Sequence, residues 1–341
     1  MHRAPVKQFL VLSLIYAIFA GTTTLFVHPQ GSWFMLAMID TSEGHFLNLW
    51  KYMPLICIGL VIAGVVTRAL FDAQKIKDAL LALLGCILFM WGFSMFKSTM
   101  PHIIPFWADP MLASLDRALH FGNDPWTLVD GLRVPMGTEI VDYIYLKFWA
   151  WPGVMGPILL VIFDNNPDRV RRYLMLFLFT WIFLGNLLAM LFMSAGPVFY
   201  DRMLGTDEFA ALTAVLQTEA ERTSIMGIMR EWLWAVNQTG FEGVSSGISA
   251  FPSLHVGIAA LACVYLCERS RYLIPVGVGF LGFILMGSVL SGLHYALDGY
   301  VSIAVVLAAW AVSRRMSSGH AEKHSNAANG DKEGKIDAQT A

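Results

Sequence analysis

Two short stretches carry the side chains best suited to chemistry: FPSLHVG at residues 251–257 and HYALD at residues 294–298. In HYALD, Asp298 follows His294 by four positions, so on a helix the two share a face. A carboxylate placed there can accept the Nδ1 proton and leave Nε2 free as a nucleophile or base. The same spacing also serves a structural hydrogen bond or one half of a metal site. In FPSLHVG, Pro252 suits the first turn of a helix, where its missing N–H is not needed. The free N–H groups and positive dipole end of such a turn favour an anion. Ser253 can cap that helix or offer its hydroxyl to the anion, and His255 can anchor an interface or transfer a proton. Taken together, an anion-friendly helix start, two histidines and a partner carboxylate form a set that phosphoryl transfer uses. One imidazole attacks phosphorus, the other protonates the leaving oxygen, and donors hold the remaining oxygens.

The elements that position this set are membrane helices. Of 341 residues, 56% are hydrophobic and only 14% charged, and the apolar residues fall in long blocks, which excludes an ordinary soluble domain. The fold class expected is all-α, a polytopic bundle of about eight transmembrane helices with two long outer loops. The spans are expected near residues 8–27, 53–70, 78–96, 141–163, 173–193, 252–268, 273–293 and 296–313. Arg68, Lys75, Lys77, Arg169, Arg171, Arg172, Arg269, Arg271, Arg314 and Arg315 then fall in short connections on one side, together with Arg3 and Lys7. The opposite loops are longer and mostly acidic, with Asp109, Asp116, Asp124, Asp130, Asp201, Asp207 and Glu208. The positive-inside rule places both termini in the cytoplasm. His255 at the start of the sixth span and His294 at the end of the seventh then share the outer, periplasmic or lumenal, face. The net charge of −2 identifies no partner, and no basic patch points to nucleic acid. Cys57, Cys86, Cys263 and Cys267 all lie in apolar blocks and supply no disulfide or metal framework.

Residues 97–140 are rich in Pro, Trp and His and contain the apolar run Met111 to Leu119, which predicts helices lying at the membrane interface. Residues 194–250 predict a helical stretch over about 206–236 with Trp232 and Trp234 as interfacial anchors. The tail from residue 316 to 341 is too polar to bury a core and reads as disordered. The chain therefore divides into N-terminal helices (1–96), a catalytic membrane domain (97–315) and a cytoplasmic tail (316–341).

At these residues the chain resembles the type 2 phosphatidic acid phosphatase superfamily. Pro252-Ser253-Leu254-His255 is similar to that family's second signature, Pro-Ser-Gly-His, and the run from Ser288 through His294 to Asp298 to its third, Ser-Arg-x5-His-x3-Asp. The form Phe-Pro-Ser-Leu-His and the His-Tyr pair resemble the inositol phosphorylceramide synthase branch, which moves a phosphorylated head group between lipids. The resemblance implies His294 as a nucleophile forming a phosphohistidine, Asp298 as its orienter, His255 as the leaving-group acid and Ser253 as a phosphate ligand. Leu254 replaces the usual Gly, Val289 stands where the third signature has Arg, and MSAGPVFYDRM replaces the first signature, Lys-x6-Arg-Pro. A cation is still needed to offset the phosphate. The candidates are Arg202 just after the fifth span, favoured by position, Lys97 at the outer end of the third, and Lys147 inside the fourth.

The implied activity is cleavage or transfer of a lipid phosphoester without a cofactor or an obligatory metal. The partners are a phospholipid or lipid phosphate in the membrane and, for transfer, a lipid alcohol acceptor. A plain lipid phosphatase is the nearest alternative, and a vanadate-dependent haloperoxidase site is a more remote one. From another class, a catalytically silent lipid-binding or transport protein of the same fold also accommodates the altered signatures. Paired broken helices in two halves of the chain would mark a transporter; the sequence has no such pair, and Gly277, Gly279 and Gly282 fit close helix packing.

Overall fold

The computed structural model describes residues 3–35, 72–133, 137–239 and 247–337, with side chains as far as Met316. Helix makes up 82% of it, and there is no strand among the described residues. The helices that matter for the site are α1 (Arg3–Val27), α2 (Ala73–Thr99), α3 (Asp109–Leu119), α4 (Thr138–Gly153), α5 (Gly156–Phe163), α6 (Pro167–Leu191), α7 (Pro197–Leu204), α8 (Ile225–Thr239), α9 (Leu254–Arg269), α10 (Ile274–Leu290) and α11 (Ala296–Asp337).

Five helical segments among the described residues are long and apolar enough to cross a membrane: Ala4–Val27, Ala73–His102, Pro167–Leu191, Arg271–Leu290 and Ala296–Met316. A sixth appears if α4 and α5, which meet at a bend of 58°, form one span. This is a multi-pass membrane bundle, with five or six spans among the described residues. The span expected at 53–70 lies outside the described residues. The one expected at 252–268 is α9, only 16 residues long. At 1.5 Å per residue it covers about 24 Å, short of a hydrocarbon core of roughly 30 Å. It is short because residues 247–253 are extended over its start rather than helical.

Side-chain pairing fixes the directions of the helices. Tyr16 packs on Phe89, Phe19 on Phe96, and Thr24 Oγ1 lies 3.0 Å from Thr99 Oγ1, so α1 and α2 run parallel. Helix α6 runs the same way, since Phe93 meets Trp181 at one level while Lys75 Nζ reaches Asn165 Oδ1 (2.7 Å) just before its start. Glu268, at the far end of α9, gathers Arg172 (2.8 Å), the Tyr173 hydroxyl (3.1 Å) and Trp310 Nε1 (3.0 Å). That face of the bundle therefore holds the start of α6, the end of α9 and a lower turn of α11. The start of α9, the end of α10 and the start of α11 meet at the opposite face.

The core between them is aromatic, with Trp181 in contact with Phe89, Phe93, Trp149 and Phe177. Helix α1 leaves Val11, Ile15, Ile18 and Phe26 exposed, as a helix bordered by lipid should. The interfacial helix expected within 97–140 is α3, which buries Leu112 and Asp116 and exposes Leu115 and Leu119. Helix α11 continues to Asp337, through residues whose composition reads as disordered.

Candidate active site

Asp298 stands in the first turn of α11, and its carboxylate reaches back over the residues that precede the helix. Oδ2 accepts hydrogen bonds from His294 Nδ1 (3.2 Å) and from the Tyr295 backbone N–H (3.1 Å). Oδ1 is buried without a partner. The i, i+4 pairing expected from sequence is therefore made, and His294 Nε2 is left with no hydrogen bond in the protein.

The FPSLHVG stretch starts α9 as its residue types require. Ser253 is the N-cap, its Oγ accepting from the Val256 N–H at 3.4 Å. Its own N–H donates to the Asp298 carbonyl at 3.2 Å, so the starts of α9 and α11 are stitched together through backbone. His255, the second residue of α9, lies within electrostatic reach of both His294 and Lys97. The imidazole packs on Tyr145, with ring centroids 4.5 Å apart and planes 9° from parallel, and on Trp149 at 4.0 Å. Trp149 Nε1 also donates to the His255 carbonyl at 2.9 Å. Tyr145 sits in a π-helical stretch of α4, Tyr143–Phe148, a widened turn of a kind often found at functional sites.

A second layer comes from the acidic outer segment. Asp109, buried at the start of α3, accepts from the Ala195 N–H (2.7 Å), the Gly196 N–H (2.9 Å) and the Tyr295 hydroxyl (3.0 Å). Asp116, one helical face along, accepts from the N–H groups of Ala296 (3.1 Å) and Leu297 (2.9 Å), the free donors at the start of α11. Burial pushes both carboxyls above the ordinary range, and the donors pull them back. Burial also raises the Tyr295 hydroxyl, as does the neighbouring Asp109. Gly196 has φ +86°, and a Cβ there would run into the Leu293 carbonyl, one residue before His294. The run 193–198 is thus pressed against the histidine loop, with Val198 N–H donating to Gly292 O at 2.9 Å.

A family model described as the PAP2 superfamily matches residues 110–312, well over half of the chain. The chain belongs to the PAP2 superfamily. Members of this superfamily are generally phosphatases or phosphotransferases. No curated protein and no solved structure matches the chain. The PAP2 match spans both histidines, Ser253 and Asp298, and stops short of Lys97.

The fold brings His294, Asp298, Ser253, His255 and Lys97 to one end of the bundle, and separates them from the other cations expected from sequence. Arg202 is on α7, where its guanidinium pairs with Glu231 (2.7 and 3.1 Å) and lies over the Trp234 ring. Lys147 is exposed on α4. Lys97 is partly buried and makes no hydrogen bond or ion pair among the described residues. Val289, in the place of the PAP2 arginine, lines a small cavity together with His294, Pro197 and Tyr295. Two arginines approach the backbone beside it, Arg133 donating to Leu290 O (2.8 Å) and Arg230 to Ser291 O (3.2 Å), but Glu221 pairs with both. Sequence reasoning missed Tyr145, Trp149, Asp109 and Asp116. The only local signal for any of them was the density of aspartates and aromatics in stretches read as span or loop.

Proposed function

We propose that this protein is a membrane enzyme that cleaves or transfers a lipid phosphoester through a phosphohistidine on His294. The observation that carries the reading is the bond from His294 Nδ1 to Asp298, which leaves Nε2 free on a ring within reach of His255. In the first step the Nε2 lone pair forms a bond to phosphorus, the bond from phosphorus to the leaving oxygen breaks, and His255 gives that oxygen its proton. In the second step the oxygen of water or a lipid alcohol forms a bond to phosphorus, the bond from phosphorus to Nε2 breaks and returns its electron pair to His294, and the attacking oxygen gives its proton to His255. Ser253 and Lys97 supply a hydroxyl and a positive charge to the phosphoryl oxygens, and Lys97 takes this role in place of Arg202 because its charge is uncommitted. The short signature Phe-Pro-Ser-Leu-His and the His-Tyr pair favour a head-group transferase similar to the inositol phosphorylceramide synthase branch over a plain phosphatase. The basic connections at the Glu268 end favour a cytoplasmic location for that face, which puts the histidines on the periplasmic or lumenal side.

The test uses purified protein in vesicles with labelled phosphatidic acid and phospholipids, with and without diacylglycerol or ceramide. Quenching in alkali, where phosphohistidine survives, should trap a labelled protein with the label on His294. His294→Ala should give no labelled protein and background turnover. Label on another residue, or near-full activity in His294→Ala, would overturn the mechanism and move the silent lipid-binding or transport reading ahead. Released phosphate without transferred head group would identify a phosphatase.

A further inference from the structure

The two histidines are held in different ways. His294 is oriented by its hydrogen bond to Asp298, whereas neither ring nitrogen of His255 is hydrogen-bonded among the described residues. A residue that must deliver a proton to one particular oxygen needs its ring plane fixed within a narrow angle, since proton transfer requires a near-linear hydrogen bond. Among the described residues, two aromatic rings pack on His255 and can do this. Tyr145 stacks on the imidazole with the planes 9° from parallel, and the Trp149 ring centroid lies 4.0 Å from that of the imidazole while its Nε1 ties down the His255 backbone carbonyl. Both come from one helix, α4, at positions four apart.

Tyr145 raises a second question, because a phenylalanine would give the same stacking. Its side chain is fully buried, and among the described residues its hydroxyl meets the Ser253 side chain only loosely, outside ordinary hydrogen-bond geometry. That hydroxyl faces Ser253 and is within electrostatic reach of Asp298, whose Oδ1 is likewise buried and unpaired. A buried hydroxyl without a partner costs about 1–3 kcal/mol. Its surroundings are the groups assigned to the phosphoryl site, so an anion held between the histidines is the partner that would satisfy it.

We propose that Tyr145 is a further residue of this active site: its ring, together with Trp149, fixes the plane in which His255 delivers its proton, and its hydroxyl donates to the bound phosphoryl group. This rests on the phosphohistidine reading, and Trp149 acts only as a positioning residue within it. The ring and the hydroxyl are separable by substitution. Tyr145→Phe keeps the stack and removes the donor, and Tyr145→Leu removes both.

The experiment compares full-length wild type, His255→Ala, Tyr145→Phe, Tyr145→Leu and Trp149→Leu in vesicles, on a lipid phosphate and on nitrophenyl phosphate, with vanadate as inhibitor. Loss of a general acid typically costs about 10²–10⁴-fold, and a good leaving group escapes most of it. His255→Ala should therefore lose far more activity on the lipid than on the nitrophenyl ester. Tyr145→Leu should move the ratio of the two rates in the same direction, by roughly tenfold or more. Trp149→Leu carries the same expectation and replaces Tyr145→Leu if that variant does not fold. Tyr145→Phe should leave the ratio unchanged and weaken vanadate inhibition by roughly five- to tenfold, the worth of one hydrogen bond.

If His255→Ala shifts the ratio and neither leucine variant does, the aromatic rings do not position His255 and the proposal fails. Unaltered vanadate inhibition in Tyr145→Phe would remove the hydroxyl from the site. If His255→Ala itself leaves the ratio unchanged, the acid role under the proposed function is wrong and the positioning role falls with it. His294→Ala, measured alongside, reports on the nucleophile separately.

Discussion

Replacing Asp298 by asparagine tests how the nucleophile is oriented, because the amide can sit in two ways that predict different losses. In the native site Oδ2 accepts from both His294 Nδ1 (3.2 Å) and the Tyr295 N–H (3.1 Å), while Oδ1 accepts from nothing. With the amide oxygen in the Oδ2 position, both donors keep their acceptor and the NH₂ replaces an atom that was already unpaired. With the NH₂ there, the Tyr295 N–H faces another donor, and His294 must shift its proton onto Nε2, the atom that should attack. Stranding a buried backbone N–H costs about 1–3 kcal/mol, so the first arrangement wins by roughly that amount. What remains lost is the charge on the acceptor. Hydrogen bonds to charged groups contribute about 1.5–3 kcal/mol against about 0.5–1.5 for neutral ones, a difference of about 1–2 kcal/mol. At about 1.4 kcal/mol per factor of ten, the rate of phosphoenzyme formation should fall roughly 5- to 30-fold. Single-turnover labelling with alkaline quench measures this step directly. A loss near 10⁴-fold, the size seen when a serine protease triad is given the wrong tautomer, would show that the NH₂ faces the imidazole and that the Tyr295 N–H does not decide the orientation. A loss below twofold would show that Asp298 does not orient the nucleophile at all.

The site cation is tested by inhibitor titration. Lys97→Met should weaken vanadate inhibition roughly tenfold or more, from loss of one charge-assisted contact, whereas Arg202→Met should leave it nearly unchanged because Glu231 holds that guanidinium; equal effects would return Arg202 to the site. Asp116→Ala deprives two buried N–H groups at the start of α11 of their acceptor. It should destabilise the protein by about 2–4 kcal/mol, read as a fall in the detergent melting temperature together with activity, and an unshifted melting curve would contradict the capping role. Gly196→Ala combines a left-handed φ, worth about 1–2 kcal/mol, with a collision at the Leu293 carbonyl. Because the displaced backbone leads into His294, kcat should fall by more than the loss of folded protein explains, and a proportional fall would mean the loop tolerates the shift.

The parts of this molecule that were legible in the sequence are those with local causes. Apolar block length reveals α1, α2, α6, α10 and α11, and the proline and serine before Leu254 mark the start of α9. The spacing from His294 to Asp298 gives the orienting bond because both residues lie on one short run of chain. Helix α9 starts at Leu254, two residues inside the expected span, because Ser253 caps it there. Arg202 was favoured for its place beside a span end, but which acid a surface arginine meets is decided by tertiary packing, here by Glu231 from α8. Tyr145 and Trp149 are two more aromatics in an apolar stretch until α9 is laid against them. Asp109 and Asp116 look like solvated loop acids, yet each is buried because the donors it satisfies come from residues 86 to 186 positions away along the chain.

Lys97 rides on α2, which lies before the stretch shared with the PAP2 superfamily, while the nucleophile, the acid and the orienting carboxylate all lie within it. On the proposed reading, bond-making and charge compensation are carried by different portions of the gene product. Substitutions along α1 and α2 can then retune how firmly an anionic head group is gripped while leaving the imidazole chemistry intact. On that reading the stretch shared with the superfamily holds the reacting imidazoles, and α2 from outside it supplies the charge that meets the head group.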